Sequence, residues 1–177
     1  QDSSERVLLE RLEDCFRLYL DCSPEDRRRV QRLMTTLTQG MEMDLSCFPG
    51  QSVEDLTALK TVDDLDQYTY YVAGCVGEFW TDLSESHLGA WRSQPLSNMQ
   101  YAAKRYGMGL QRLNLWRDSA ADLAQGRCYW PADRLAQYGL DAANLAQAVA
   151  QQLVALVVED QTDLVQILLV LHLDLQQ

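Results

Sequence analysis

Apolar residues recur every three to four positions along most of this chain, and no segment shows a convincing alternation of apolar and polar residues. The first such face is made by Val7, Leu8, Leu12, Cys15, Phe16 and Tyr19. A spacing near 3.6 residues is typical of amphipathic helices, whereas a period of two is typical of strands. The pattern predicts six to eight helices with short connections, that is, an all-α bundle.

Capping residues, prolines and glycines divide this pattern into separate helices. Ser23 followed by Pro24 is a strong start signal. Thr61 and Asp64 resemble a capping box with Asp in place of Glu, and Ser97 is the expected cap of the helix that follows. The expected helices cover about 24–47, 62–83, 98–123 (ended by Gly126), 131–139, 142–158 and 160–173.

The bulk composition indicates one globular domain. The chain has 177 residues, of which 47% are apolar, so we expect a single all-α domain over 1–177. Its net charge of −11 argues against nucleic-acid binding, which needs a basic face. The negative charge is still compatible with binding of a phosphate-bearing ligand, because a bound metal ion can invert the local charge.

The cysteine count and the chain start favour a cytoplasmic protein. There are five cysteines and no CxxC pair, which favours reduced thiols over a disulfide framework or a zinc site. The chain opens on polar residues, unlike a signal peptide. No apolar run reaches the ~18–20 residues that a membrane span needs.

The most informative local pattern is a pair of aspartates, Asp118 and Asp122, inside a predicted helix. A separation of four residues places both on one helix face, with Asn114 one turn earlier and Gln111 near it. Such a polar stripe suits Mg²⁺, which takes oxygen ligands from one or two carboxylates and from substrate phosphates. Two acids on a solvated face would produce the same spacing.

Two further segments carry unusual residues. Tyr68 and Tyr71 precede Gly74 and Gly77 in a predicted helix. Glycine inside a helix costs about 1 kcal/mol relative to alanine, so the pair indicates either close helix packing or room for an apolar ligand. Tyrosines at this spacing are more often core residues than catalytic ones. Arg127, after the acidic helix, could reach phosphate oxygens or could be a surface residue beside a capping glycine.

Taken together, these segments resemble the squalene/phytoene synthase family. The motifs are YTYYVAGCVG, then MGLQRLNLWRDxxxD, then GRxYWP, in that order, and the similarity runs from about Asp64 to Pro131. A weaker similarity continues upstream through Gly40–Leu45. The Trp130-Pro131 pair favours the squalene branch, and we expect a member like the bacterial squalene synthases.

The resemblance implies a prenyl-synthase-type helical bundle around a central cavity. It also implies a transferase that joins two farnesyl or geranylgeranyl diphosphates head to head, through a cyclopropyl intermediate, to squalene or phytoene. Mg²⁺ is the expected cofactor, and NADPH is possible. Because the product is a lipid, peripheral association with a membrane is plausible, whereas the resemblance leaves the oligomeric state open.

The resemblance also assigns roles to individual residues. Asp118 and Asp122 would bind the metal ion. The expected diphosphate-binding residues are Gln111, Asn114, Arg117 and Arg127. The expected catalytic residues are Tyr68, Tyr71 and Arg117. The expected cavity residues are Val72, Gly74 and Gly77.

The sequence departs from the family pattern at two points. Ala121 stands where the second aspartate motif often carries another acid, and no first aspartate motif lies upstream of the segment that it should precede. We therefore expect a fold that is incomplete at both ends, lacking the helix of the first aspartate motif and the C-terminal helices, and a chain that is inactive on its own. The alternative is a non-catalytic relative that serves as an assembly or scaffold factor.

Overall fold

The computed structural model describes residues 3–156; the predicted helix over 160–173 lies outside the described residues. Within these residues the secondary structure is helical apart from one pair of very short strands, as the periodicity predicts. Its α-helices are α1 (Ser3–Glu10), α2 (Leu12–Asp21), α3 (Pro24–Cys47), α4 (Val62–Thr69), α5 (Cys75–His87), α6 (Leu96–Ala124), α7 (Ala132–Gln137) and α8 (Ala142–Leu156). A 3₁₀ turn (Val53–Asp55), a π-helical turn (Tyr70–Gly74) and strands β1 (Thr57–Ala58) and β2 (Arg127–Cys128) complete the described elements.

Local capping interactions begin several helices where the sequence predicts. The Ser23 hydroxyl accepts a hydrogen bond from the Asp26 N–H at 3.1 Å, at the start of α3. Thr61 and Asp64 form a reciprocal capping box at the start of α4. Each of these bonds satisfies an N–H group that has no partner within its own helix.

Two helix boundaries differ from the prediction. α6 begins at Leu96, and its N-cap residue is Pro95 rather than Ser97. The Pro95 carbonyl accepts hydrogen bonds from the N–H groups of Asn98 and Met99 at 3.0 and 3.2 Å. The helical segment that starts at Val62 continues to His87 through the π-helical turn, past the expected end at Leu83.

The two strands form a parallel pair that the sequence did not reveal. Thr57 is aligned with Arg127, and Ala58 with Cys128. Strands of two residues are too short to show a period of two. This ladder fixes the backbone on which Arg127 sits.

The core consists of two clusters, one on either side of this ladder. The first contains Leu123, Cys128, Trp130, Leu135, Leu145 and Val149. The second contains Phe48, Leu59, Leu65, Tyr68 and Tyr129. The segment that follows α6 contributes to both clusters, so it anchors the C-terminal end of α6 in the core.

Helices α5 and α6 pack closely because glycines face the neighbouring backbone. A Cβ atom added to Gly77 would lie 2.2 Å from the Ala103 carbonyl oxygen, and one added to Gly107 would lie 2.4 Å from that of Ala73. The contacts run in opposite directions along the two helices, which are therefore antiparallel. Close packing, one of the two explanations that the sequence left open for its glycines, is present at Gly77, which also borders an apolar cleft.

Among residues 3–156, no helix combines the length and the apolar character that crossing a bilayer would require.

Candidate functional site

The acidic stripe predicted from the sequence lies on one face of α6. Gln111, Asn114, Asp118 and Asp122 are all partly buried, and their spacing of three, four and four residues keeps them on the same side of the helix. The helix is 29 residues long, so the stripe occupies its C-terminal half. The exposed Ala121 lies beside it.

Asp118 is held by its neighbour Arg117. The guanidinium donates two hydrogen bonds to the carboxylate, Nε to Oδ1 at 2.8 Å and Nη2 to Oδ2 at 2.7 Å. These bonds favour the charged form and lower the pKa of Asp118 below its ordinary value. Arg117 therefore lies beside the expected metal site, where a bound cation could replace it as the partner of the Asp118 carboxylate.

Asp122 has the opposite environment. Burial raises the pKa of its carboxyl group, the nearby charges of Asp118 and Asp44 raise it further, and Arg127 opposes them. Within the described part of the chain, its carboxylate accepts no hydrogen bond and forms no ion pair. A partly buried carboxylate beside two other acids is costly unless a cation compensates it.

Asp44 of α3 is a site residue that sequence reasoning missed. Its carboxylate forms an ion pair with Arg127 at 3.2 Å and accepts a short hydrogen bond from the Tyr129 hydroxyl. Its side chain is only 15% exposed. The available signal was the weak upstream similarity over Gly40–Leu45, which contains Asp44 without indicating a role.

Tyr68 joins the same group of side chains through Tyr129. Its hydroxyl lies 3.4 Å from that of Tyr129, and the ring centroids are 5.0 Å apart. Burial is the main cause that raises the pKa of both phenols, and the Asp44 carboxylate raises them further. Both phenols are therefore neutral hydrogen-bonding groups at ordinary pH.

Tyr71 lies outside this group among the described contacts. It belongs to the π-helical turn, is partly buried, and accepts a hydrogen bond from the Gln67 side chain at 2.7 Å. The structure thus connects Tyr68, but not Tyr71, to the residues around Asp44.

Arg127 owes its position to the strand ladder and to Gly126. Gly126 has a φ of +80°, and a Cβ atom there would lie 2.4 Å from the Ser52 carbonyl oxygen, so both conformation and space favour glycine. The Thr57 N–H donates to the Gly126 carbonyl at 3.1 Å. The interpretation of Arg127 as a simple surface residue is wrong, because its side chain is 30% exposed and ion-paired with Asp44.

An apolar cleft of about 520 Å³ leads away from the stripe between α5 and α6. Val72 and Gly77 line it, as do Gln111 and Asn114 at its polar end. Gly74, expected among the cavity residues, is not part of the wall. It is buried in the helix contact, where an added Cβ would lie 2.9 Å from Met108 Cγ and 3.0 Å from the Tyr70 ring.

The residues present are compatible with Mg²⁺ but do not form a complete protein cage. No group of three or more His, Cys, Asp or Glu side chains within residues 3–156 is arranged to hold a metal ion. Mg²⁺ usually takes one or two protein carboxylates and completes its shell with water and substrate phosphates. Asp118 and Asp122, one turn apart, are such a pair, and the uncompensated carboxylate of Asp122 suits a cation.

The helical architecture is consistent with the fold of the isoprenoid synthases. Residues 2–170 match the family model described as squalene/phytoene synthase. The chain therefore belongs to the squalene/phytoene synthase family, which confirms the resemblance found in the sequence motifs.

Individual relatives come from both branches of the family. The chain is 31% identical to a squalene synthase of Eremothecium gossypii over 121 residues, 66% of this chain and 26% of the relative. It is 27% identical to squalene synthase ERG9 of Saccharomyces cerevisiae over 152 residues, 86% and 33% of the two chains. It is 37% identical to a 15-cis-phytoene synthase of Enterobacter agglomerans over 90 residues, 51% and 28% of the two chains. The matched part thus spans about a quarter to a third of each relative.

Proposed function

We propose that this chain supplies the diphosphate-binding wall of a Mg²⁺-dependent prenyltransferase. The enzyme would join two farnesyl or geranylgeranyl diphosphates head to head, through a cyclopropyl intermediate, to squalene or phytoene. Family membership supports the reaction class. The proposal rests on one observation: the carboxylates of Asp118 and Asp122 follow the polar end of an apolar cleft on the same helix face.

The two ends of this arrangement suit the two parts of a prenyl diphosphate. Asp118 and Asp122 would hold Mg²⁺, which when bound would neutralise charge on the leaving diphosphate. Arg117 and Arg127 would donate hydrogen bonds to its oxygens, and Gln111 and Asn114 would orient it where the cleft begins. The apolar walls would keep water away from the allylic carbon.

Tyr68 would act beside the reacting carbon as a neutral phenol. Its buried hydroxyl is held by Tyr129, which is in turn held by Asp44. An aromatic face can stabilise a developing cation in a site that excludes water. Tyr71, from the π-helical turn, keeps its predicted catalytic role within this proposal.

Binding of a non-ionising substrate analogue tests the site without requiring turnover. We expect farnesyl thiodiphosphate to bind in the presence of Mg²⁺, as measured by isothermal titration calorimetry, and binding to weaken when the metal is chelated. The paired change Asp118→Asn and Asp122→Asn should weaken Mg²⁺-dependent binding at least ~10-fold, as loss of charge-assisted contacts predicts. Glu42→Gln, an exposed acid on α3, is the matched control and should bind like the wild type. Equal binding by the paired variant would exclude the proposed metal site.

A turnover assay separates the enzyme from the alternative of a non-catalytic scaffold relative. The chain is incubated with Mg²⁺, NADPH and farnesyl or geranylgeranyl diphosphate, and presqualene diphosphate, squalene or phytoene is sought by mass spectrometry. We expect no product from these 177 residues alone, since the two carboxylates form only part of a metal cage. Product formation would refute that expectation. Absence of both product and Mg²⁺-dependent binding would favour the non-catalytic scaffold.

Bacterial origin, cytoplasmic location, membrane association and NADPH use stay predictions.

A further inference from the structure

The Asp44 carboxylate joins a buried phenol to a partly exposed arginine. Its Oδ1 accepts a hydrogen bond from the Tyr129 hydroxyl, and its Oδ2 lies 3.2 Å from Arg127 Nη1. Tyr129 is only 8% exposed, and its ring packs against Phe48 with the ring centroids 4.8 Å apart. Side chains in a close-packed core have little freedom to move, so Tyr129 gives Asp44 a fixed position.

Asp44 holds Arg127 by one nitrogen of its guanidinium group. The backbone of Arg127 is fixed in the parallel ladder opposite Thr57, and its side chain is 30% exposed. Within residues 3–156, the contact of Nη1 with Asp44 is the one ion pair of Arg127, and its Nε and Nη2 donate no hydrogen bond. Because Nε and Nη2 form an edge that matches two oxygens of a phosphate group, Arg127 has a free edge for such a ligand.

The charges of Asp44 and Arg127 both act on Asp122 of the acidic stripe. Burial is the main cause that raises the pKa of Asp122; the Asp44 carboxylate adds to this effect, and the Arg127 guanidinium opposes it. A ligand held at Asp122 would therefore interact with both charges. By its charge alone, Asp44 disfavours an anion at this site, so any favourable contribution to diphosphate binding has to come from its effect on Arg127.

We propose that Asp44 is a positioning residue that holds Arg127 with its Nε–Nη2 edge toward the substrate diphosphate. The inference rests on the proposed function, because it requires a diphosphate beside Asp118 and Asp122. A guanidinium that is already held at Nη1 needs little further ordering when the anion binds. Without Asp44 the ligand itself would have to order this flexible side chain, and we expect a loss of roughly 5-fold in affinity.

Isothermal titration calorimetry of farnesyl thiodiphosphate with Mg²⁺, on the full 177-residue chain, tests this role. Asp44→Asn, which keeps an acceptor for the Tyr129 hydroxyl, should weaken binding roughly 5-fold. In the background of Arg127→Gln, the same change should leave binding unchanged or strengthen it, because only a negative charge is then removed. General damage to the fold would instead weaken binding in both backgrounds.

Two further variants separate the charge of Asp44 from its fixed position. Tyr129→Phe removes the hydrogen bond that fixes Asp44 and keeps the aromatic ring, so binding should weaken by less than in Asp44→Asn. Glu42→Gln removes one charge from an exposed position of the same helix and should bind like the wild type.

The outcomes separate this inference from the proposed function. Unchanged or tighter binding by Asp44→Asn overturns the positioning role, and so does an equal loss in both backgrounds. In either case the proposed function stands if binding still depends on Asp118 and Asp122. Absence of Mg²⁺-dependent binding by the wild-type chain overturns both.

Discussion

The two halves of α6 serve different purposes although they belong to one uninterrupted helix. In the N-terminal half, Gly107 meets the backbone of Ala73 and the apolar cleft lies alongside. In the C-terminal half, one face carries Asp118 and Asp122 while Ser119 and Leu123 are buried in the core. Close packing determines which residues fit in the N-terminal half, whereas charge and hydrogen bonding determine which residues fit in the C-terminal half.

This difference explains why one helix contains both a glycine in a backbone contact and two aspartates on one face. Close contact with a neighbouring backbone leaves no room for a side chain, so glycine is required despite its helix propensity. An acidic stripe is tolerated where the opposite face is firmly packed, because burial there offsets the cost of crowding carboxylates. Substitutions in the two halves should therefore change the stability of the protein for different reasons.

The largest effect is expected from Gly107→Ala in the N-terminal half. Its new methyl group would lie 2.4 Å from the Ala73 carbonyl oxygen, so the helices must separate, at a cost of about 1–3 kcal/mol. The matched control is Gly109→Ala, whose added Cβ would lie more than 4 Å from any atom of the described residues around it; it should stabilise the helix by about 0.5–1 kcal/mol. Urea unfolding of both variants gives the change in the free energy of unfolding. A change of the same sign in both variants would contradict the view that close packing requires glycine at position 107.

Asp44→Ala should give the next largest effect by disturbing the surroundings of the C-terminal half. It leaves Arg127 without its counter-ion and the Tyr129 hydroxyl without its acceptor. We expect a loss of about 1–2 kcal/mol in the free energy of unfolding, the usual cost of an unsatisfied buried group. Glu42→Ala removes an exposed acid from the same helix and should change little. Asp44→Asn, which keeps an acceptor for Tyr129, should recover part of the loss.

Ser119→Ala tests the packed face of the C-terminal half. The Ser119 oxygen accepts a hydrogen bond from the Trp130 indole N–H at 3.2 Å, and Ser119 is 6% exposed. Losing this bond should cost about 1 kcal/mol, measured by chemical denaturation against Ser86→Ala, an exposed serine of α5. Combining Ser119→Ala with Trp130→Phe should cost less than the sum of the two single losses, by about the contribution of the bond. Full additivity would show that the bond does not contribute.

The smallest effect is expected from Asp122→Asn in the presence of a metal chelator. Because burial raises the pKa of Asp122 in the folded state, the folded protein binds this proton more tightly than the unfolded chain, and stability decreases as the pH rises through the raised pKa. At neutral pH the variant should be more stable, with a Tm higher by roughly 1–2 °C. Thermal melts from pH 3 to 8 should show the difference disappearing in acid. A lower Tm for the variant at pH 7 would contradict the view that the charged Asp122 side chain destabilises the metal-free protein.

Much of the fold was predictable because its signals are local. Ser23, Thr61 and Asp64 cap helices through bonds that span only a few residues, so their sequence spacing is sufficient. The stripe from Gln111 to Asp122 follows from helical periodicity in the same way. The start of α6 was misplaced because Pro95 supplies a backbone carbonyl rather than the side-chain cap expected of Ser97.

The candidate site was only partly predictable because its long-range contacts have no local pattern. Asp44 and Tyr129 are 85 residues apart, and only packing of α3 against the segment after α6 brings them together. The structure places Gly74 in a helix contact, which its spacing predicts no less than a cavity. The position of Trp91 beside the cleft depends on where the α5–α6 loop folds, which periodicity does not describe.

The sequence by itself indicated most of the helices within residues 3–156, the family and the face on which Asp118 and Asp122 lie, because caps and periodicity act over a few residues. Only the tertiary structure decided which glycines pack, that Asp44 holds Arg127 and Tyr129, and that an apolar cleft joins the acidic stripe to Trp91. These features depend on contacts between distant segments, whose geometry is set by packing of the whole chain. The three linked motifs thus identify the family, whereas the residues around Asp118 and Asp122 determine what the site can hold.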